Sequence, residues 1–404
     1  MSFDFDTVID RSGTWAAKWN FTMAAHGQEA PASMFEGDGP APISMSVADM
    51  EFAAPPCVTA AMQARIDHGV FGYTYQSDAY NDAIVAWQKA RHSWDIKPDW
   101  ILTHHGVLPS LFLMIRRFVP QGSKIVLQTP AFPPFFDAIE VNGCEAAVNE
   151  LIEGENGRYE IDFEGFETAC ADPATRLFIL CNPHNPVGRC FTADELGRMA
   201  EICARHDVMI FADEIHGDLI MPGHRLTPFL SVTGGSSPKT ITANGLSKTM
   251  NLAGLQLCTV IIPDDELREA YAAGSLNDGN WGLNPMSKAG FLAGFAQGGP
   301  WLDALLPYVA ANMDLVHSFC AERLPAIKGP TIEGTYLMWL DMRGTGLPEP
   351  DLIERIQRRA RLRVEAGSAF GPGGEGFIRL NVACPRSVVQ DAMERLERVL
   401  RANS

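Results

Sequence analysis

No apolar run in the 404 residues approaches the ~20 that a membrane-spanning helix requires, which argues against an integral membrane protein. Positive charge is scarce: Lys and Arg number 32 against 49 Asp and Glu, a formal net charge of −17. A phosphate backbone repels such a chain, so nucleic acid is not an expected partner. The nine cysteines are an odd number and show no CxxC or other ligand spacing. Reduced, mostly buried thiols of an intracellular protein are therefore expected. The opening MSFDFDTVIDR has neither a basic nor an apolar leader region, and a cytoplasmic location is the expectation. Internal repeats, low-complexity tracts, a Walker A sequence and a GxSxG elbow are all missing. What the chain does have is 46% hydrophobic residues, enough for a large core. At ~100–200 residues per domain, its length allows two or three units.

Residues 100–262 alternate short apolar runs with segments of helical period, the pattern of a parallel sheet wrapped by helices. Candidate strands are Lys124–Gln128, Leu177–Cys181, Val208–Ala212, Thr240–Thr242 and Cys258–Ile262, with Ile101–Thr103 ahead of them. Thr192 and Glu195 form a capping-box start for a helix reaching His206. Later, a long helix is expected over Trp301–Arg323, then strands near Thr335–Asp341 and Gly376–Val382 with a helix between them. A last helix is expected from Arg386 to Arg401. The arginines of Arg355–Arg363 read as the solvated face of a charged helix. Residues up to about 45 are rich in loops and could pack anywhere. The GxGxxG match at Gly371–Gly376 precedes a strand instead of following one, so the dinucleotide context fails.

In open α/β sheets the working residues lie beyond the carboxyl ends of the strands. After Ile101–Thr103, His104-His105-Gly106-Val107-Leu108 feeds a helix start, a place for a phosphate. After Lys124–Gln128, Phe132, Phe135 and Phe136 sit in a Pro-stiffened loop that offers a stacking platform. After Leu177–Cys181, prolines at 183 and 186 bracket Asn185 and aim its amide. After Val208–Ala212 come Asp213, His216 and Asp218; their spacing fits no metal motif, and Asp213 is costly to bury without a cation opposite it. After Thr240–Thr242 comes Ser247-Lys248, a lysine placed to form a Schiff base. Each signal alone is weak. In order, with Asp213 and Lys248 35 residues apart, they make the contact set of pyridoxal phosphate.

Six stretches carry a closer resemblance: Val47–Phe52, Phe71–Thr74, Asn182–Gly188, Asp213–His216, Ser247–Leu255 and Phe377–Pro385. Through them the chain resembles, almost end to end, fold-type I pyridoxal-phosphate enzymes of the aminotransferase class I/II group. It is most similar to the MalY/PatB branch of cystathionine β-lyases, because His216 stands where many aminotransferases have Tyr. The resemblance implies a large α/β domain with a mixed, mostly parallel sheet between helices (residues 49–285) and a smaller α+β domain (286–404), with residues 1–48 belonging to the small domain. It implies pyridoxal 5′-phosphate on Lys248, Asp213 at the ring nitrogen, Asn185 at the ring hydroxyl, and Phe132 and His216 beside the ring. Val107, Leu108 and Ser247 would hold the phosphate, reached also by Tyr73 from a partner subunit of a homodimer. Arg379, with Asn185, would bind the substrate carboxylate; no metal is implied. The chain departs from the family's pattern at Phe132 (often Tyr), Ser46 (commonly Trp in this branch), Gly245 (commonly Ser) and Gln256 (Arg in many aminotransferases, though the lyase branch often lacks it too). The expected activity is β-elimination from L-cystathionine or a related sulfur amino acid to thiol, pyruvate and ammonia. An aminotransferase is the alternative from the same residues, and a ligand sensor lacking catalysis is the alternative from another class.

Overall fold

The computed structural model describes residues 3–20, 39–154, 157–233 and 238–401. Its centre is a seven-stranded sheet: β1 (Ile101–His104), β2 (Lys124–Thr129), β3 (Glu145–Glu150), β4 (Thr175–Cys181), β5 (Met209–Asp213), β6 (Thr240–Asn244) and β7 (Cys258–Ile261). The spatial order is β1-β7-β6-β5-β4-β2-β3. Only β7 runs antiparallel to its neighbours. In β4, Leu177 through Cys181 are all buried, as a parallel strand covered by helices on both faces must be. β3 escapes an apolar-run reading because it lies at the sheet's edge, with Asn149 its one fully buried residue.

Helices cover both faces because their sequences carry apolar stripes. In Ala193–Arg205 the buried Leu196, Met199, Ala200 and Cys203 recur at helical spacing, and Thr192 and Glu195 close the expected capping box. Val107–Phe118 buries Leu111, Met114 and Ile115, whereas Leu108, Phe112 and Phe118 are only half-buried.

The long helix is Gly299–Arg323 and the last is Arg386–Arg401. A three-stranded sheet places Phe377–Asn381 between Leu337–Asp341 and Glu365–Ala366. The arginine-rich stretch is not one solvated helix. A π-helical turn, Arg355–Arg359, gives way to the strand Leu362–Arg363, which pairs in parallel with Ile43–Ser44 and buries Arg363 against the Asn20 carbonyl at 2.9 Å. Strand pairing to the N-terminal segment wins there over local helix propensity.

That segment is also more tied down than its loop-rich composition suggests. Residues 1–2 and 21–38 lie outside the described residues, but Phe5 packs edge-on against Phe52 and Trp301, and Lys18 is fully buried. One apolar core runs from Phe5 and Met45 through the helix Pro285–Gln297 to Leu337 and Val382.

Candidate active site

Five parallel strands, β1, β2, β4, β5 and β6, end at one edge of the sheet. Register places Asp213, the last residue of β5, between Cys181 of β4 and Ala243 of β6. The loop Asn182–Gly188, the turn after Asp213 and the turn carrying Lys248 therefore emerge side by side. Because β7 is antiparallel, Cys258 lies opposite His104 and Thr259 opposite Asn244, so the helix beginning at Val107 starts beside the same edge. Gly106 caps that helix at φ 143°, a conformation that favours glycine. The first amides, at Val107 and Leu108, have no acceptor within the helix. Gly245 plays the matching part before Ser247, at φ 145°, with the β7 backbone at Cys258 only 3.4 Å from where a Cβ would be.

Lys248 sits partly exposed at this edge, and its Nζ donates to the Ala48 carbonyl at 2.7 Å. The Tyr336 hydroxyl donates to the same oxygen at 2.8 Å. Desolvation pulls the Lys248 amine down to about 8, against the opposing pull of Asp49 and Asp213. Asp213 is buried and accepts from the Ile215 amide at 3.0 Å, but makes no ion pair among the described residues. Burial pushes its carboxyl up to about 7. The neighbouring Glu214 accepts from the Phe229 amide at 2.6 Å and is pushed up to about 8, again by burial.

His216 lies edge-on to Tyr336 with ring centroids 5.8 Å apart, and its buried Nδ1 has no partner. Burial, then the charges of Lys248 and Arg379, hold it well below the usual imidazole range. Asp218 is not part of this group. Its carboxylate accepts from Trp87 Nε1 (3.0 Å), His92 Nε2 (2.8 Å) and Thr249 Oγ1 (2.9 Å). Asp213, His216 and Asp218 thus do not converge, and no cluster of three metal-ligating side chains occurs among the described residues.

Arg379 comes from the small sheet and is buried at the same place. It donates to Asn185 Oδ1 at 3.1 Å and to the Ser46 carbonyl at 3.0 Å, over the face of Phe370, while its Nε has no partner. Phe132 is half-buried and edge-on to Phe135 at 5.5 Å. Tyr73, by contrast, is fully exposed and adds nothing to the site of its own chain.

Sequence inspection missed what holds the segment Ser46–Phe52 across the site. Asn251 binds Met50 N (2.9 Å), Met50 O (3.0 Å) and Phe52 O (2.9 Å). Asn381 donates to both Val47 O and Asp49 O at 2.7 Å. Both lie inside the quoted motifs, three residues past Lys248 and two past Arg379, but nothing local announces their targets. Tyr336 gave no signal at all.

The group fits pyridoxal 5′-phosphate. Asp213 is a buried carboxyl lacking a cation, Lys248 an amine near its neutral form, Arg379 Nε and His216 Nδ1 are buried polar atoms without partners, and a helix start offers free amides.

The model of the family described as aminotransferase class I and II matches residues 41–396. Cystathionine beta-lyase PatB of Bacillus subtilis is 38% identical over 98% of this chain and 100% of its own length. Protein MalY of Escherichia coli is 30% identical over 99% of each chain. The crystal structure of cystalysin from Treponema denticola, which contains pyridoxal 5′-phosphate, superposes with a TM-score of 0.93 at 35% identity over the full length of both chains. The chain is therefore a member of the aminotransferase class I and II family, a fold-type I pyridoxal-phosphate enzyme on the PatB/MalY cystathionine β-lyase branch.

Proposed function

We infer that the protein is a pyridoxal-phosphate-dependent carbon–sulfur β-lyase, cleaving L-cystathionine or a related sulfur amino acid to a thiol, pyruvate and ammonia. The observation that carries this is the desolvated Lys248 amine, parked on the Ala48 carbonyl among Asp213, His216 and Arg379. Full-length similarity to a cystathionine beta-lyase supports the choice of reaction.

When bound, pyridoxal 5′-phosphate supplies a protonated ring that accommodates the electron pair left at Cα. Asp213 would hold the proton on the ring nitrogen, a cation that relieves its own burial. Val107, Leu108 and Ser247 would bind the phosphate, Asn185 the ring hydroxyl, and Phe132 and His216 would flank the ring. Arg379 would take the substrate carboxylate, its partnerless Nε and its Nη atoms forming the fork. Lys248 Nζ removes the Cα proton, desolvation having weakened the ammonium form of this amine. The C–S bond at Cβ then breaks, the electron pair leaving with sulfur.

We also propose that the enzyme is a homodimer. Val70, Phe71, Tyr73, Tyr75 and Trp281 are all more than half exposed, and Thr74 ties their two segments together by donating to the Leu283 carbonyl at 2.5 Å. A second copy covering them would carry its Tyr73 towards the phosphate. The nine cysteines are all free, a state that the cytoplasm preserves.

The test is to incubate the cofactor-loaded protein with L-cystathionine and no keto acid, following pyruvate and thiol together. Equal release of both is expected. Conversion of an added keto acid to its amino acid, with neither product released, would instead establish an aminotransferase.

A further inference from the structure

The N-terminal arm reaches the catalytic amine through the segment Ser46–Phe52. Lys18, 1% exposed, donates to the Asp49 carbonyl at 3.0 Å, while Lys248 donates to the carbonyl of the preceding residue, Ala48, at 2.7 Å. Two lysine amines thus sit on consecutive carbonyls. Lys18 also pairs with Glu51 at 2.9 Å and lies 3.5 Å from the Asp49 carboxylate. Arg11 clamps the same two acids, at 2.9 Å from Asp49 and 2.8 Å from Glu51. Trp19 Nε1 donates to Glu51 at 3.0 Å.

An arm needed only for packing could bury apolar side chains there. This one instead sets two cations against two carboxylates beside a lysine that must lose a proton to act. We propose that Lys18 and Asp49 are opposing positioning residues for Lys248: the carboxylate draws a proton to its amine, and the arm's cations offset part of that pull. Other charges facing Lys248 are Arg379 from the small sheet and Asp213 from β5, and the imidazole of His216 lies in the same group. Neither Lys18 nor Asp49 need touch substrate. The proposal rests on Lys248 being the Schiff-base lysine.

The test measures the pH midpoint for reductive methylation of Lys248 in the cofactor-free protein, read by peptide mass spectrometry. The midpoint of the visible absorption band of the cofactor-loaded protein, without substrate, is the second readout. D49N should lower both midpoints, and K18M should raise both, each by about one pH unit for a charge at this range in a partly desolvated site. R11Q alters the more exposed cation and should move them in the same direction as K18M, which keeps the test open where K18M fails to fold. Opposite signs are the signature, because loosened packing would move all variants the same way. Midpoints that stay at the wild-type value, or that shift in one direction for every variant, overturn the proposal. Wild-type protein that forms no visible band with pyridoxal phosphate would overturn the assigned function, a result distinct from either.

Discussion

An amine held near 8 makes Lys248 sensitive to pH in the range where the enzyme would work. Schiff-base formation needs the free base, so cofactor uptake by the cofactor-free protein should quicken about tenfold per pH unit below 8 and level off above it. Stopped-flow absorbance checks this. Lys248→Ala should form no visible band and lose roughly a thousandfold or more of turnover, combining loss of covalent anchoring with loss of the base. Asp213 behaves oppositely. Its folded-state pKa, about 7, is raised above the ordinary 3.8, so the stability it contributes is present below 4 and lost as pH rises through 7. Asp213→Asn should therefore raise the melting temperature of the cofactor-free protein at pH 8 by roughly 2 °C or more relative to its effect at pH 5. The same variant should lose turnover at least about a hundredfold, since an amide cannot keep the ring nitrogen protonated. A melting temperature that responds equally at both pH values would remove the unpaired-carboxylate account.

Among the elements, the helix Ala193–Arg205 depends on its start. Thr192 Oγ1 accepts from the Glu195 amide at 3.2 Å, and the Glu195 carboxylate accepts from the Thr192 amide at 2.7 Å while pairing with the buried Arg189. Thr192→Ala should cost about 1 kcal/mol in urea unfolding, with no change in the cofactor band, because the Thr192 hydroxyl binds the first turn of its own helix. This element was legible in the sequence because capping chemistry and an apolar stripe are local. The strand Glu145–Glu150 was not, because an edge strand needs no continuous apolar run. Leu362–Arg363 was also hidden: its partner, Ile43–Ser44, lies more than 300 residues earlier, and only tertiary pairing makes it a strand.

For the whole molecule, large apolar side chains stand exposed along Val70–Tyr75 and at Trp281. Sedimentation should give a dimer, and Trp281→Asp should shift it towards monomer by burying an unpaired charge at the interface. Loss of cofactor retention in step with dissociation would follow from Tyr73 reaching across. A monomeric wild-type protein that keeps its cofactor would overturn the shared site.

What the sequence determined by itself was the linear order of the candidate residues: helix start, Asn185, Asp213 and Lys248, each at or soon after the end of a readable strand. Parallel-sheet geometry then places such residues together, since successive strands end at one edge. The tertiary structure alone decided what lies above that edge. Ala48 and Tyr336 come from segments 288 residues apart, joined by a hydrogen bond to the same carbonyl that Lys248 binds. The arm that brings Lys18 to Asp49 has no periodicity to betray it. Long-range contacts of this kind depend on how the two ends of the chain pack together, and no local pattern of residues encodes that.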